Sequence, residues 1–140
     1  IYIDPEVLEK HNQKLQAKYR LIAQNETRVE TYNCDGADVI VAAYGTIARI
    51  IKNVIRTAEK EGIKVGLIRP ITLWPFPTAA FEKYAEVPAA FLSVEMSAGQ
   101  MVEDVRLAVN GKRPVYFHGR MGGMIPTQKE ILEKIKEILK

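Results

Sequence analysis

The sequence is poor in cysteine and histidine: 140 residues hold one cysteine, Cys34, and two histidines, His11 and His118. A single cysteine excludes an internal disulfide and any multi-cysteine zinc or iron–sulfur site built by this chain alone. A reactive thiol needs basic or helix-N-terminal surroundings, and Asp35 follows Cys34 directly, so Cys34 reads as an inert, reduced thiol of a cytosolic protein. No run approaches the roughly 20 apolar residues of a membrane-spanning helix, and no basic segment followed by an apolar stretch and a small-residue cleavage site marks secretion. Charge of one sign is also scarce. Twenty Lys and Arg against 17 Asp and Glu leave +3, scattered along the chain, which is too weak for a nucleic-acid footprint. Internal repeats and low-complexity segments are missing as well.

What is present is apolar material: 47% of the residues, enough for the core of one domain of this length. Residues 4–25 read as a long, mostly polar helix. Asp4 supplies an N-cap acceptor, Pro5 suits the first helical position and Glu6 puts an acid in the first turn. Its apolar stripe (Leu8, Leu15, Tyr19 and Ile22 among others) is narrow for a helix packed on its own domain, and it fits a helix that bridges between bodies. The chain opens at Ile1 with no initiator methionine, which leads us to expect a piece of a longer protein with residues 1–26 as a linker and 27–140 as the domain.

From Arg28 onward short apolar runs alternate with amphipathic helices. Residues 28–32 form a polar edge strand, and Asp35-Gly36 turns the chain. Residues 38–44 (DVIVAAY) make a strand buried on both faces, followed by a helix over 46–60 that stops at Gly62. Further core strands are expected at 63–69 and 89–95, with a last strand at 114–118. Helices are expected at 78–86, at 98–109 and from Thr127 to the end. Three prolines within 70–77 exclude regular structure there, and Ser97 with Gln100 has the spacing of a capping box. Strand and helix alternating at this spacing specify an α/β fold with right-handed crossovers, a mostly parallel sheet and helices on both faces.

In such a sheet ligands bind outside the carboxyl ends of the strands, where strand order reverses. Those ends carry Gly45 and Thr46, then Arg69, then Glu95 and Ser97, then His118 and Arg120. Two uses are open. Arg69 and Glu95 can simply pair to fix loops, or Thr46, Arg69 and Arg120 can hold an anion, with Gly45 and Thr46 opening a helix whose free N–H groups favour negative charge. A Walker-type lysine and a GxGxxG after the first core strand are both absent, which excludes the common nucleotide fingerprints. His118 has the intrinsic pKa of a general base but no sequence neighbour that completes a triad. No catalytic residue and no metal site are therefore assigned. The stiff Trp74-Pro75-Phe76-Pro77 loop and the glycine-rich loop 119–123 are surfaces for contact, with Trp74 and Phe76 the expected subunit-contact residues.

Several stretches together resemble one family. Val41-Ala42-Ala43-Tyr44-Gly45-Thr46, the run from Gly66 to Pro77 (GLIRPITLWPFP), Glu95-Met96 with Gly99-Gln100-Met101, and Gly119-Arg120-Met121-Gly122-Gly123 with Ile125-Pro126 are similar to the C-terminal domain of the alpha subunit of 2-oxoacid:ferredoxin oxidoreductases, nearest the 2-oxoisovalerate type. The resemblance covers nearly the whole chain. It implies a three-layer α/β/α fold like the transketolase C-terminal domain, with five strands in the order 1-3-2-4-5 and strand 1 antiparallel. The crevice then falls at Gly45, Thr46, Glu95, Met96 and Ser97. It also implies a complex that decarboxylates a 2-oxoacid, reduces ferredoxin and makes acyl-CoA with thiamine diphosphate, magnesium and iron–sulfur clusters. Its partners would be a preceding thiamine-pyrimidine domain, beta and small ferredoxin-like subunits, ferredoxin and coenzyme A. The chain lacks the family's thiamine diphosphate motif, Gly-Asp-Gly followed by Asn, so no cofactor is expected in this domain. Its expected role is structural, with binding of coenzyme A or phosphate at the crevice as the alternative.

Overall fold

The computed structural model describes residues 2–140. Five strands, β1 (Val29–Tyr32), β2 (Val39–Ala42), β3 (Val65–Pro70), β4 (Ala90–Glu95) and β5 (Val115–Gly119), pair in the order β1-β3-β2-β4-β5. β1 runs antiparallel to β3, and the other pairings are parallel. Five helices complete the described chain: α1 (Pro5–Glu26), α2 (Gly45–Glu59), α3 (Thr78–Tyr84), α4 (Met101–Val109) and α5 (Gln128–Ile138). The expected fold class, strand order and antiparallel edge are all present.

The continuous apolar run of β2 has its physical reason in two cores. Val39 and Val41 face α2 and α5 with Ile51, Ile55, Ile131 and Ile135. Ile40 and Ala42 face the opposite layer with Phe81, Phe91 and Val105 from α3, β4 and α4. A central strand whose successive side chains point to opposite buried faces cannot afford a polar residue on either. These two clusters cover both faces of the sheet, and all of their residues lie between Cys34 and Ile138.

Gly66 sits where the turn after β1 crosses β3. A Cβ there would lie 2.9 Å from Cys34 Cα and 3.1 Å from Asn33 O. The close approach lets Asn33, at φ 55, donate its Nδ2 to Val65 O at 2.9 Å, and it buries the Cys34 thiol against Leu67 O.

Asp4 caps α1 as expected, accepting from Glu6 N at 2.9 Å and Val7 N at 3.3 Å. None of the 22 residues of α1 is buried. Its last turns meet the domain where Tyr19 stands edge-on to Trp74 at 5.7 Å, and Arg28 N donates to Thr72 Oγ1 at 3.0 Å. Because Val29 pairs with Pro70, the base of α1 lies at the carboxyl edge of the parallel strands.

One helix start differs from expectation. The helix expected over 98–109 begins at Met101, and its Gln100 N-cap makes no side-chain capping bond. Ser97 and Gln100 do not form a capping box; the cap comes from β4 instead.

Candidate functional site

The chain leaves β2 into α2 on one face of the sheet and leaves β4 toward α4 on the other, and the adjacent carboxyl ends part to form a crevice. Its volume is about 190 Å³, and its lining includes Tyr44, Gly45, Thr46, Glu95, Met96, Ser97 and Gln100. Gly45 takes φ +58, which favours glycine, and starts α2 directly from the strand. No side chain caps α2.

Glu95 ends β4 with its side chain 3% exposed. Oε1 accepts from Ser93 Oγ and Val102 N, both at 2.9 Å. Oε2 accepts from Ser97 Oγ at 2.9 Å, Gln100 N at 2.9 Å and Met101 N at 3.1 Å. Burial is the largest single influence on this carboxyl and pushes its pKa up. The bonds from Gln100 N, Ser97, Ser93 and Val102 N together outweigh burial and hold it below the usual glutamate range. A carboxylate delivered by the sheet therefore fills the start of α4, the place where a bound anion would otherwise sit.

The crevice excludes three of the expected residues. Arg69, His118 and Arg120 lie outside its lining. Arg69 does not pair with Glu95: β2 separates their strands, and Arg69 sits directly opposite Glu30 in the β1–β3 register. Its Nη1 donates to Glu30 Oε2 at 2.9 Å, while Lys52 Nζ donates to Oε1 at 2.6 Å. The Lys52 bond first and the Arg69 bond second lower the Glu30 pKa. Arg120 is tied to Glu130, which also accepts from Thr127 N at 2.7 Å and closes the capping box of α5. His118 lies beside a separate cavity of about 330 Å³, with Glu130, Glu133, Lys134 and Glu137 around it. Trp74 is 62% exposed beyond its edge contact with Tyr19. Phe76 turns inward and stacks on Phe81, with ring centroids 5.3 Å apart.

Sequence reasoning passed over Glu30 and Glu130, the two acids that hold the expected cations. The antiparallel pairing of β1 places Glu30, and it is visible only once β1 is set beside β3. The signal for Glu130 was in the sequence, because Thr127 followed by Glu130 has capping-box spacing.

Glu95 is the only carboxylate lining the crevice, and both its oxygens are committed to donors that fold the chain. Among the described residues no group of three His, Cys, Asp or Glu side chains is placed to hold a metal ion, and no helix is long and apolar enough to cross a membrane.

Comparison with known proteins agrees with this architecture. Over 138 residues the chain is 46% identical to the ketoisovalerate oxidoreductase subunit VorB of Methanothermobacter thermautotrophicus, covering 99% of this chain and 39% of that protein. It is 37% identical over 101 residues to the 2-oxoglutarate synthase subunit KorA of Methanothermobacter marburgensis, covering 72% of this chain and 27% of the relative. The chain thus spans about two-fifths or less of the curated relatives it matches. Among solved structures, a chain of the 2-oxoglutarate:ferredoxin oxidoreductase from Magnetococcus marinus superposes with a TM-score of 0.86 at 22% identity, over 99% of this chain and 24% of that one. A split-gene transketolase superposes with a TM-score of 0.67 at 17% identity, over 80% of this chain and 41% of its own. Both share the fold. The sequence model of the pyruvate:ferredoxin oxidoreductase core domain II matches residues 37–131. The chain belongs to the pyruvate:ferredoxin oxidoreductase core domain II family.

Proposed function

We propose that this chain is a non-catalytic domain of the alpha subunit of a 2-oxoacid ferredoxin oxidoreductase acting on a branched-chain substrate, 2-oxoisovalerate. In this reading the complex decarboxylates the 2-oxoacid, passes two electrons to ferredoxin and transfers the acyl group to coenzyme A. The identity with the ketoisovalerate oxidoreductase subunit along 138 residues supports the activity.

One geometric observation carries the domain's role: the five hydrogen bonds that saturate Glu95. A general acid or base must reach a proton on its substrate, and Glu95 has no oxygen free to do so. The residues here do not fit the complex's cofactors either. The lone thiol is buried against Leu67 O, and burial, the largest influence on it, pushes its pKa up. A buried, protonated thiol is no cluster ligand. Thiamine diphosphate, magnesium and the clusters accordingly belong to other parts of the complex, and no step of the reaction is placed on this chain. In this reading residues 1–26, which include helix α1, are the connector and residues 27–140 the domain proper.

The test replaces the matched region of the Methanothermobacter thermautotrophicus subunit with this chain and assays ferredoxin reduction by 2-oxoisovalerate and coenzyme A. The assembled chimera turns over, and the 140-residue chain alone, supplied with thiamine diphosphate, does not. Turnover by the isolated chain, or an assembled chimera without activity, contradicts the proposal.

A further inference from the structure

The large exposed apolar side chains are not evenly spread. β3 leads into Leu73 and Trp74, β2 into Tyr44, β4 into Met96, and β5 into Met121 and Met124. All follow the carboxyl ends of neighbouring strands, so they crowd along one edge of the sheet. A second group, Tyr2, Ile3, Val7 and Leu8, lies around the start of α1, whereas Leu107 on α4 stands singly, which is normal for a protein surface.

The charged side chains at the strand ends are paired within the chain. Arg69 is held by Glu30, Arg120 by Glu130, and Glu95 by the start of α4. What remains facing outward between them is methionine, tryptophan and tyrosine, with the exposed Arg28 at the base of α1 and Arg49 in the first turns of α2 beside them. That composition matches the dry core of a protein interface, where aromatics and methionine are enriched and charge is depleted. The exposed helix α1 is rooted at the same edge through Trp74 and Thr72, so arm and edge face one neighbour together.

We infer that the carboxyl edge is a docking face for an apolar protein surface supplied by the remainder of the oxidoreductase subunit. The curated relatives carry about three-fifths of their length outside the matched region, ample to bury such an edge. This inference rests on the oxidoreductase reading above and adds to it which face docks and what chemistry it meets.

Peroxide footprinting tests it without altering a residue. The methionine sulfur takes one oxygen atom from hydrogen peroxide and releases water, a two-electron oxidation whose rate follows exposure. Met96, Met121 and Met124 are 45–60% exposed, while Met101 is 3% exposed and serves as the internal control. In the isolated chain, peptide mass spectrometry should find the three edge methionines oxidised and Met101 spared. In the assembled chimera the edge rates should fall by roughly tenfold or more. Equal edge rates in the two states overturn the inference. So does protection already present in the isolated chain and lost on dilution, which would make a second copy the occupant. The footprint reads assembly and not turnover, so a protected but inactive chimera refutes the proposed activity and leaves the docking face standing.

Discussion

Replacing Glu95 by glutamine keeps the shape of the side chain and removes its charge. The best amide orientation leaves the oxygen where Oε2 now accepts from Ser97 Oγ, Gln100 N and Met101 N, and sets the NH₂ where Oε1 stood. The Ser93 hydroxyl can rotate to accept from that NH₂, but Val102 N–H cannot, and a buried donor is left facing another donor. An unpaired buried N–H costs about 1–3 kcal/mol, and the three retained bonds lose their charge assistance. The relief of burying a neutral amide in place of a carboxylate offsets part of this, for a net loss of about 2–3 kcal/mol. At roughly 4 °C per kcal/mol for a chain of this length, Tm should fall by about 8–12 °C. Glu95→Ala leaves all five donors without their acceptor and should cost about 4 kcal/mol. The pH dependence has a definite sign. Glu95 has a lower pKa folded than unfolded, so its contribution is fully present above the ordinary glutamate pKa of about 4.3 and is lost as pH falls through the lower folded value. The gap between wild type and Glu95→Gln in urea denaturation should therefore narrow below about pH 4. A Glu95→Gln variant within about 0.5 kcal/mol of wild type at pH 7 would refute the reasoning, since ordinary surface changes fall in that range.

Three further outcomes follow from other parts of the fold. Glu30→Gln should cost only about 0.5–1 kcal/mol in urea denaturation, because its pairs with Lys52 and Arg69 are about one-third exposed; a loss as large as that of Glu95→Gln would reverse the ranking. Gly119→Ala would drive a Cβ into Ser97 O and the Phe117 ring, and should cost about 1–3 kcal/mol and speed hydrogen exchange at Gln100 to Val102, whereas unchanged exchange would uncouple β5 from the α4 cap. Cys34 should react with a disulfide reagent at least about a hundredfold more slowly in the native chain than in urea, and rapid native labelling would contradict its burial.

The fold was legible where both faces of an element are buried. The run from Asp38 to Tyr44 reads as a strand buried on both faces, and its centre, Val39–Ala42, is β2; the stripe of Ile131, Ile135 and Ile138 reads as the inner face of a helix, and α5 carries it. The place of the crevice followed from the strand order, which the family resemblance supplied, because a doubly wound sheet opens where that order reverses. The ion pairs were not legible. Arg69 and Glu95 stand at equivalent strand ends in the sequence, yet register gives Arg69 to Glu30 and the α4 amides give Glu95 to the backbone. Both partners are tertiary, and no local spacing encodes them. The Ser97–Gln100 capping pattern misled for a related reason. A buried carboxylate reaching from β4 satisfies the same donors with charge, and it outcompetes a serine cap.

The central claim, a domain that supports the chemistry without touching its reactants, is tested most directly by one kinetic comparison in the chimeric oxidoreductase. Thr46→Val removes the hydroxyl that the crevice offers a ligand at the start of α2 and, being uncharged and nearly the same size, adds nothing that the apolar docking edge would exclude. The account predicts KM values for coenzyme A and 2-oxoisovalerate within about twofold of the unsubstituted chimera, and a rise of about tenfold or more in either would contradict it by making the crevice a binding site.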